Sequence, residues 1–328
     1  MMFAADNSKC PYQSGGSLMR SFFRTAGDVG GAILVVAALA TATPAASAAT
    51  PQGVPIVRVP CDATVLANAV AAGNVAPAVL RLAPYCIYDI TAQLPQITGN
   101  VALLGGPSTV IRHNPATAAN FRLLDVASTG RLRVIGVFLR NGNPAGDGGG
   151  IRNAGRLVLN FVTLNDNLAG LPLTAGGNGG ALANLAGGRA VVAHTVISSN
   201  EAFRTLAETA TGKGGGIHNA GDLTLVESRL VANSATSTVG VAGTGDGGGI
   251  NTPSGGTSIV IQSTIVDNSA TNSGGGVFNA GRTSLIRTLV LRNRATSGGG
   301  VFGAVTVRRS IVRGNTPDNC SPANPLCN

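Results

Sequence analysis

Tryptophan is absent from the 328 residues, aromatic residues make up 4% of them, and charged residues 11%. A core cannot be built here from large rings, so the interior must come from Ile, Val, Leu and Ala. Acids are the scarcer charge, with 14 Asp and Glu against 23 Lys and Arg and a net charge of +9. The acids are scattered, which argues against the carboxylate cluster that calcium needs. Nearly all the positive charge is Arg, whose planar fork suits carboxylates and phosphates. No GxSxG elbow, HExxH motif or CxxC pair is present.

The N-terminus has the order of a secretory signal. Lys9, Arg20 and Arg24 precede the apolar run GGAILVVAALATA, and Ala46 and Ala48 then form an A-x-A cleavage pattern. Residues 1–48 are therefore expected to be a signal peptide cleaved near Ala48, with Met1 or Met19 as the start. The apolar run is too short to span a bilayer, and Arg20 and Arg24 are not adjacent as a twin-arginine signal requires. Residues 49–60 read as a linker. Without Cys10, the chain keeps Cys61, Cys86, Cys320 and Cys327, an even number suited to an oxidising compartment. Three pairings are possible, and position favours Cys61–Cys86 and Cys320–Cys327. A zinc site is the alternative, but no His partner lies nearby. The expected location is secreted and extracellular, with no membrane span once the signal is removed.

Glycine, by contrast, is abundant at 47 residues, and it is placed periodically. Glycine-rich triplets each precede an aliphatic residue: Ile151, Leu182, Ile217, Ile250, Val277 and Val301. Asparagine recurs at Asn141, Asn167, Asn200, Asn233, Asn268, Asn293 and Asn315. Three residues before each stands an apolar side chain, from Phe138 and Leu164 through to Val312, and five before stands Thr195, Ser228, Ser263, Thr288 or Ser310 in five of the seven. The strings LTLVES and VTVRRS alternate with period two and are β-branched, which excludes a helical repeat. Each unit is expected to be one coil of a parallel β-helix over residues 61–319, equivalent residues stacking about 4.8 Å apart. Glycine permits the sharp turn, and the Asn file is expected to form an inward ladder that satisfies buried corner groups. DATVLANAVAAG reads as a short N-terminal capping helix with Asp62 near its N-cap. Residues 320–328 form a disulfide-bearing tail, so both edges are protected from pairing.

The GGG[IV]xNAG and S/T-x-[ILV]-x-x-N patterns, the VPCDATVLANAV opening and the DNC-containing tail together resemble secreted bacterial right-handed parallel β-helix repeat proteins. That group is similar in architecture to pectate lyases and in repeat style to polymorphic outer-membrane proteins. The resemblance covers about residues 58–328. It implies an all-β, single-stranded, right-handed solenoid. It leaves function open, because the group holds lyases, hydrolases, adhesins and members of no known activity. An autotransporter barrel and a sorting signal are missing, so the implied product is released.

Two outward files and one C-terminal arginine patch carry candidate chemistry. Six residues before the ladder Asn lie Phe161, His194, Glu227, Gln262, Arg287 and Arg309. A polysaccharide lyase could use Arg287 to neutralise a uronate and His194 as base, beside Glu227. Glu227 has no acidic partner in its file, which counts against glycoside hydrolysis. One residue after the core aliphatic lie Arg152, Ala183, His218, Asn251, Phe278 and Phe302, expected to point outward beside a wall of three enlarged loops, 168–178, 201–213 and 234–246. The two Phe would make a stacking floor for a sugar ring there; the bland alternative is that the loops simply cover the file. Finally, Arg287, Arg292, Arg294, Arg308, Arg309 and Arg313 fall in a span without acid, attractive to uronates, phosphate polymers or anionic lipid. Nucleic acid is not expected, for want of interleaved aromatics.

Arg140 is expected beside Asp166, and Asp267 beside Arg292, as surface ion pairs. GGNGGAL departs from the calcium-binding nonapeptide where Ala181 replaces its Asp, so no cofactor is expected; calcium stays open as an option that no Asp cluster supports. The expectation is a monomeric β-helix binding or scaffolding an extracellular anionic polysaccharide or cell-envelope polymer without turnover. A polysaccharide lyase and an adhesin are the alternatives.

Overall fold

Short alternating strands can bury their aliphatic side only if another turn of chain supplies the next row, and this chain does so repeatedly. The computed structural model describes residues 53–171, 176–204, 212–237 and 245–327. The expected signal peptide and Cys10 lie outside these residues. Among the described residues the strands order into parallel sheets of ten, nine, eight and four strands. A middle coil visits the ten-, nine-, four- and eight-stranded sheets in turn and returns one step along the axis. The protein is thus a parallel β-helix with one N-terminal helix.

Register fixes which side chains are neighbours. Leu159, Val192, Leu225, Val260, Leu285 and Val307 form one inward file across successive coils. All six are buried, each contributing about 1.5–3 kcal/mol by leaving water. The helix Ala63–Val75 closes the first coil with Leu66 and Val70. Its N-cap is Asp62, which accepts from the Thr64 and Val65 amides at 2.7 and 3.0 Å. Disulfides join Cys61 to Cys86 and Cys320 to Cys327.

Two expected boundaries move. Part of the 49–60 stretch read as linker is a strand: Ile56–Val59 pairs with the following coil and buries Val59. Tyr88 ties it down, its hydroxyl donating to the Val59 carbonyl at 2.9 Å and accepting from the Ala83 amide at 2.9 Å. At the other end Cys320–Ser321 pairs with Val301–Phe302, so the eight-stranded sheet runs into the tail. The three enlarged segments begin as strands of the four-stranded sheet, Leu168–Ala169, Glu201–Arg204 and Ser234–Ser237, and Ser269–Ala270 of the next coil completes it. Residues 172–175, 205–211 and 238–244 of the expected loops lie outside the described residues.

The Asn ladder runs from Asn167 through Asn200, Asn233, Asn268, Asn293 and Asn315, each side-chain amide donating to the next at 2.9–3.0 Å. Asn319 ends it, accepting from Asn315 at 3.1 Å. Asn141 is not a member. Phe138–Arg140 pairs with Thr163–Asn165, which sets Asn141 level with Asp166 and Gly142 level with Asn167. In that coil the whole pattern is one residue early, so Leu139 rather than Phe138 enters the core. Asn141 instead takes a left-handed corner with φ 63°, the conformation of Asp166, Ser199, Ala232, Asp267 and Arg292 above it. A second ladder, Asn153 to Asn184 to Asn219, holds the opposite corner with amide bonds of 2.7 Å. The recurring Ser and Thr line a third: the Thr195 and Ser228 amides donate to Ser228 and Ser263 Oγ, and the hydroxyls donate to carbonyls two residues back.

Candidate basic face

Outward positions on the ten-stranded sheet are fixed by the same registers, and they collect arginine. Arg58, Arg81, Arg131, Arg133, Arg156, Arg189, Arg282 and Arg308 all face out. Among the described residues the one acid on that face is Asp222. Arg131, Arg156 and Arg189 occupy one file on successive coils, so three like charges stand about 4.8 Å apart at their backbones, a destabilising arrangement. Arg189 alone of the three has an acidic partner among the described residues, Asp222 at 3.6 Å, and both side chains are largely exposed, so the pair is weak. Between the charges run aliphatic side chains: Val158, Val191 and Ile259 in one file, Ile135, Val226 and Ile261 in the next.

Sequence reasoning missed this face, because its members are scattered between positions 58 and 308. A signal was nevertheless present. Glycine immediately precedes the first strand residue in TGR, AGR, GGR, AGD, GGT and AGR, ending at 131, 156, 189, 222, 257 and 282.

The C-terminal arginines are all exposed but do not share one surface. Arg308 belongs to the ten-stranded sheet, Arg313 to the nine-stranded sheet, and Arg287 and Arg309 to the corner between them. Arg292 is neutralised from the preceding coil by Asp267, in a bidentate pair at 2.8 and 2.8 Å. That guanidinium holds the Asp267 carboxyl below its ordinary pKa. Arg140 reaches Asp166 at 3.2 Å, although its backbone is level with Asn165.

The His194 file lies at a corner rather than on a sheet. Phe161, His194, Glu227, Gln262, Arg287 and Arg309 all have φ between 45° and 53°, single left-handed residues that redirect the chain at some backbone cost. His194 and Glu227 do meet, Nε2 to Oε2 at 3.0 Å. The other ring nitrogen, Nδ1, lies 3.0 Å from Asn160 Oδ1, and the ring stacks on Phe161 at 4.7 Å. Both ring nitrogens of His194 are thus engaged by neighbouring side chains, and neither is left free to meet a substrate. Arg287 stands two coils beyond Glu227, with Gln262 between. The expected base and uronate-neutralising group are therefore not brought together.

Arg152, Ala183, His218, Asn251, Phe278 and Phe302 do share one outward file. It is not the open shelf expected. Arg152 is drawn to Asp125 at 3.4 Å, and Ala183 and Asn251 are fully buried. Neither amide atom of Asn251 meets a partner in good hydrogen-bond geometry, nor does His218 Nδ1, although the two side chains are neighbours. Burial holds the His218 pKa below 6.5, opposed by the Asp147 carboxylate and the neighbouring Asn251 amide and assisted by Lys213. The Phe278 and Phe302 rings are parallel within 5° at a centroid distance of 5.4 Å. Coplanar rings would collide at that spacing, so each covers part of the other's face. They offer a stacked pair, not two rings laid flat side by side.

Among the described residues no group of three or more His, Cys, Asp and Glu is placed to hold a metal. No described helix is long and apolar enough to cross a membrane. No protein family and no curated protein compared with the chain matches it.

Proposed function

We propose that the protein binds an extended anionic polysaccharide, outside the cell or in its envelope, along the outer face of the ten-stranded sheet. The observation that carries this reading is the imbalance of eight Arg against one Asp on that face, three of the Arg on successive coils. Stacked guanidinium groups repel one another, and a polyanion laid across them converts that repulsion into attraction. Arg also offers the bidentate geometry that carboxylates accept. The aliphatic files beside the Arg supply contact for the C–H faces of sugar rings. Two disulfides suit an oxidising compartment and so support the extracellular setting. Binding without turnover is favoured because the face carries a single acid, with no second carboxylate on it among the described residues, and the nearby His194 has both ring nitrogens engaged.

The test is calorimetric titration with polygalacturonate at low and high salt. Replacing Arg131, Arg156 and Arg189 together by Gln should weaken binding by about tenfold or more at low salt and flatten its salt dependence. The same change at Arg294, Arg309 and Arg313, which lie off the face, should matter less. Absence of polyanion binding, or equal loss from the two triple variants, would overturn the reading.

A further inference from the structure

The two margins of the ten-stranded sheet are built differently, and the one that carries the Arg131–Arg156–Arg189 file alternates. Chain arriving from the eight-stranded sheet turns through four residues at 127–130, two at 154–155, four at 185–188, two at 220–221, four at 253–256 and two at 280–281. Each four-residue turn closes on itself. Gly130, Gly188 and Gly256 donate their amides to Ala127, Leu185 and Pro253 at 2.9, 2.9 and 3.0 Å. The flanking two-residue turns hold the same axial register, since Arg156 donates to the Gly130 carbonyl, Asp222 to Gly188 and Arg282 to Gly256. The extra residues therefore have nowhere to go but outward. Their central pairs, Ser128–Thr129, Ala186–Gly187 and Ser254–Gly255, are exposed.

The margin is thus a row of ridges with a notch after each, over Ala154–Gly155, Ala220–Gly221 and Ala280–Gly281. The third notch opens into a solvent-facing hollow of about 420 Å³ between Ser254, Gly255, Ala280 and Arg282, in the range that holds a small ligand. Ridges recur every two coils, about 9.6 Å, close to the length of two sugars in an extended glycan. Charge in this file does not alternate with the ridges, but its average matches their spacing. The file at the foot of the margin reads Arg131, Arg156, Arg189, Asp222, Thr257, Arg282. Four Arg less one Asp over six coils leaves one net positive charge for every two coils.

We infer that the polymer is a glycan with a disaccharide repeat and one carboxylate per repeat, lying parallel to the solenoid axis with every second sugar seated in a notch. This rests on the polyanion reading above and narrows it. A polymer charged at every sugar still meets the Arg face, but it gains nothing from the notches.

Size-graded oligosaccharides of hyaluronan, acidic at every second sugar, and of polygalacturonate, acidic at every sugar, distinguish the two. Hyaluronan affinity should rise in two-sugar steps. Filling the notches with Ala154→Tyr and Ala280→Tyr should weaken hyaluronan about tenfold while leaving polygalacturonate within about twofold. Deleting Ala186–Gly187 and Ser254–Gly255, which levels the ridges, should do the same, and circular dichroism would check that each variant keeps its sheet. If both polymers bind and neither responds to filled notches or levelled ridges, the disaccharide register is wrong and the basic face stands. If neither polymer binds, both readings fall.

Discussion

Asn233 and Asn251 are both fully buried, yet one lines the corner after the nine-stranded sheet and the other stands on the outer side of the eight-stranded sheet. Asn233 points inward: its Oδ1 accepts from the Asn200 amide and side chain, and its Nδ2 donates to the Ile197 carbonyl and to Asn268. Asn251 points outward in a file of mixed residue types, and neither of its amide atoms meets a partner in good hydrogen-bond geometry. The inward file repeats one residue type because each coil leaves the same backbone groups to satisfy. The outward files carry no such obligation. They vary, and in this protein what varies is charge, aromatic stacking and turn length.

That contrast predicts opposite signs for similar substitutions. Asn233→Ala should destabilise the fold by at least about 3 kcal/mol, because it orphans the Asn200 amide and the Ile197 carbonyl together. Asn141→Gly, at the residue one position outside the ladder, should change stability by less than about 0.5 kcal/mol, since its left-handed backbone suits glycine. Equal effects in urea unfolding would erase the distinction between ladder and corner. Asn251→Leu should stabilise the protein by about 1–3 kcal/mol by removing two unpaired buried polar atoms; a loss of stability would mean that its amide has a partner after all.

His218 sharpens the outward side through pH. Its folded pKa lies below 6.5, so the unfolded chain binds the proton more readily than the folded one. Stability should therefore be full above the ordinary His range and decline as pH falls through about 6.5. His218→Gln should flatten that part of a Tm-against-pH curve, and an unchanged curve would place the pH dependence elsewhere. The smallest effect belongs to exposed pairs such as Asp267–Arg292. Asp267→Asn should cost less than about 1 kcal/mol, and less still in high salt.

The parallel β-helix was legible because its inward demands recur in the text. Glycine triplet, aliphatic and Asn each return at a position where the coil needs a turn, a core residue and a capped corner. The reading slipped at Asn141, where FLRNG stands one residue out of step with TLNDN, a shift that only strand pairing reveals. The second ladder was written in the recurring Asn of GGGIRN and GGGIHN, but without coordinates nothing distinguishes an inward Asn from a turn Asn. The basic face was the least legible. Its arginines become neighbours only after coils of unequal length are superimposed, and unequal length is itself the feature that builds the notches.

Phenylglyoxal labelling read by mass spectrometry reports directly which arginines meet the polymer. With polygalacturonate bound, Arg131, Arg156 and Arg189 should be protected from modification, while Arg294, Arg309 and Arg313 react as in the free protein. Protection of the second set with the first left reactive would contradict the assignment of the ten-stranded sheet as the binding face.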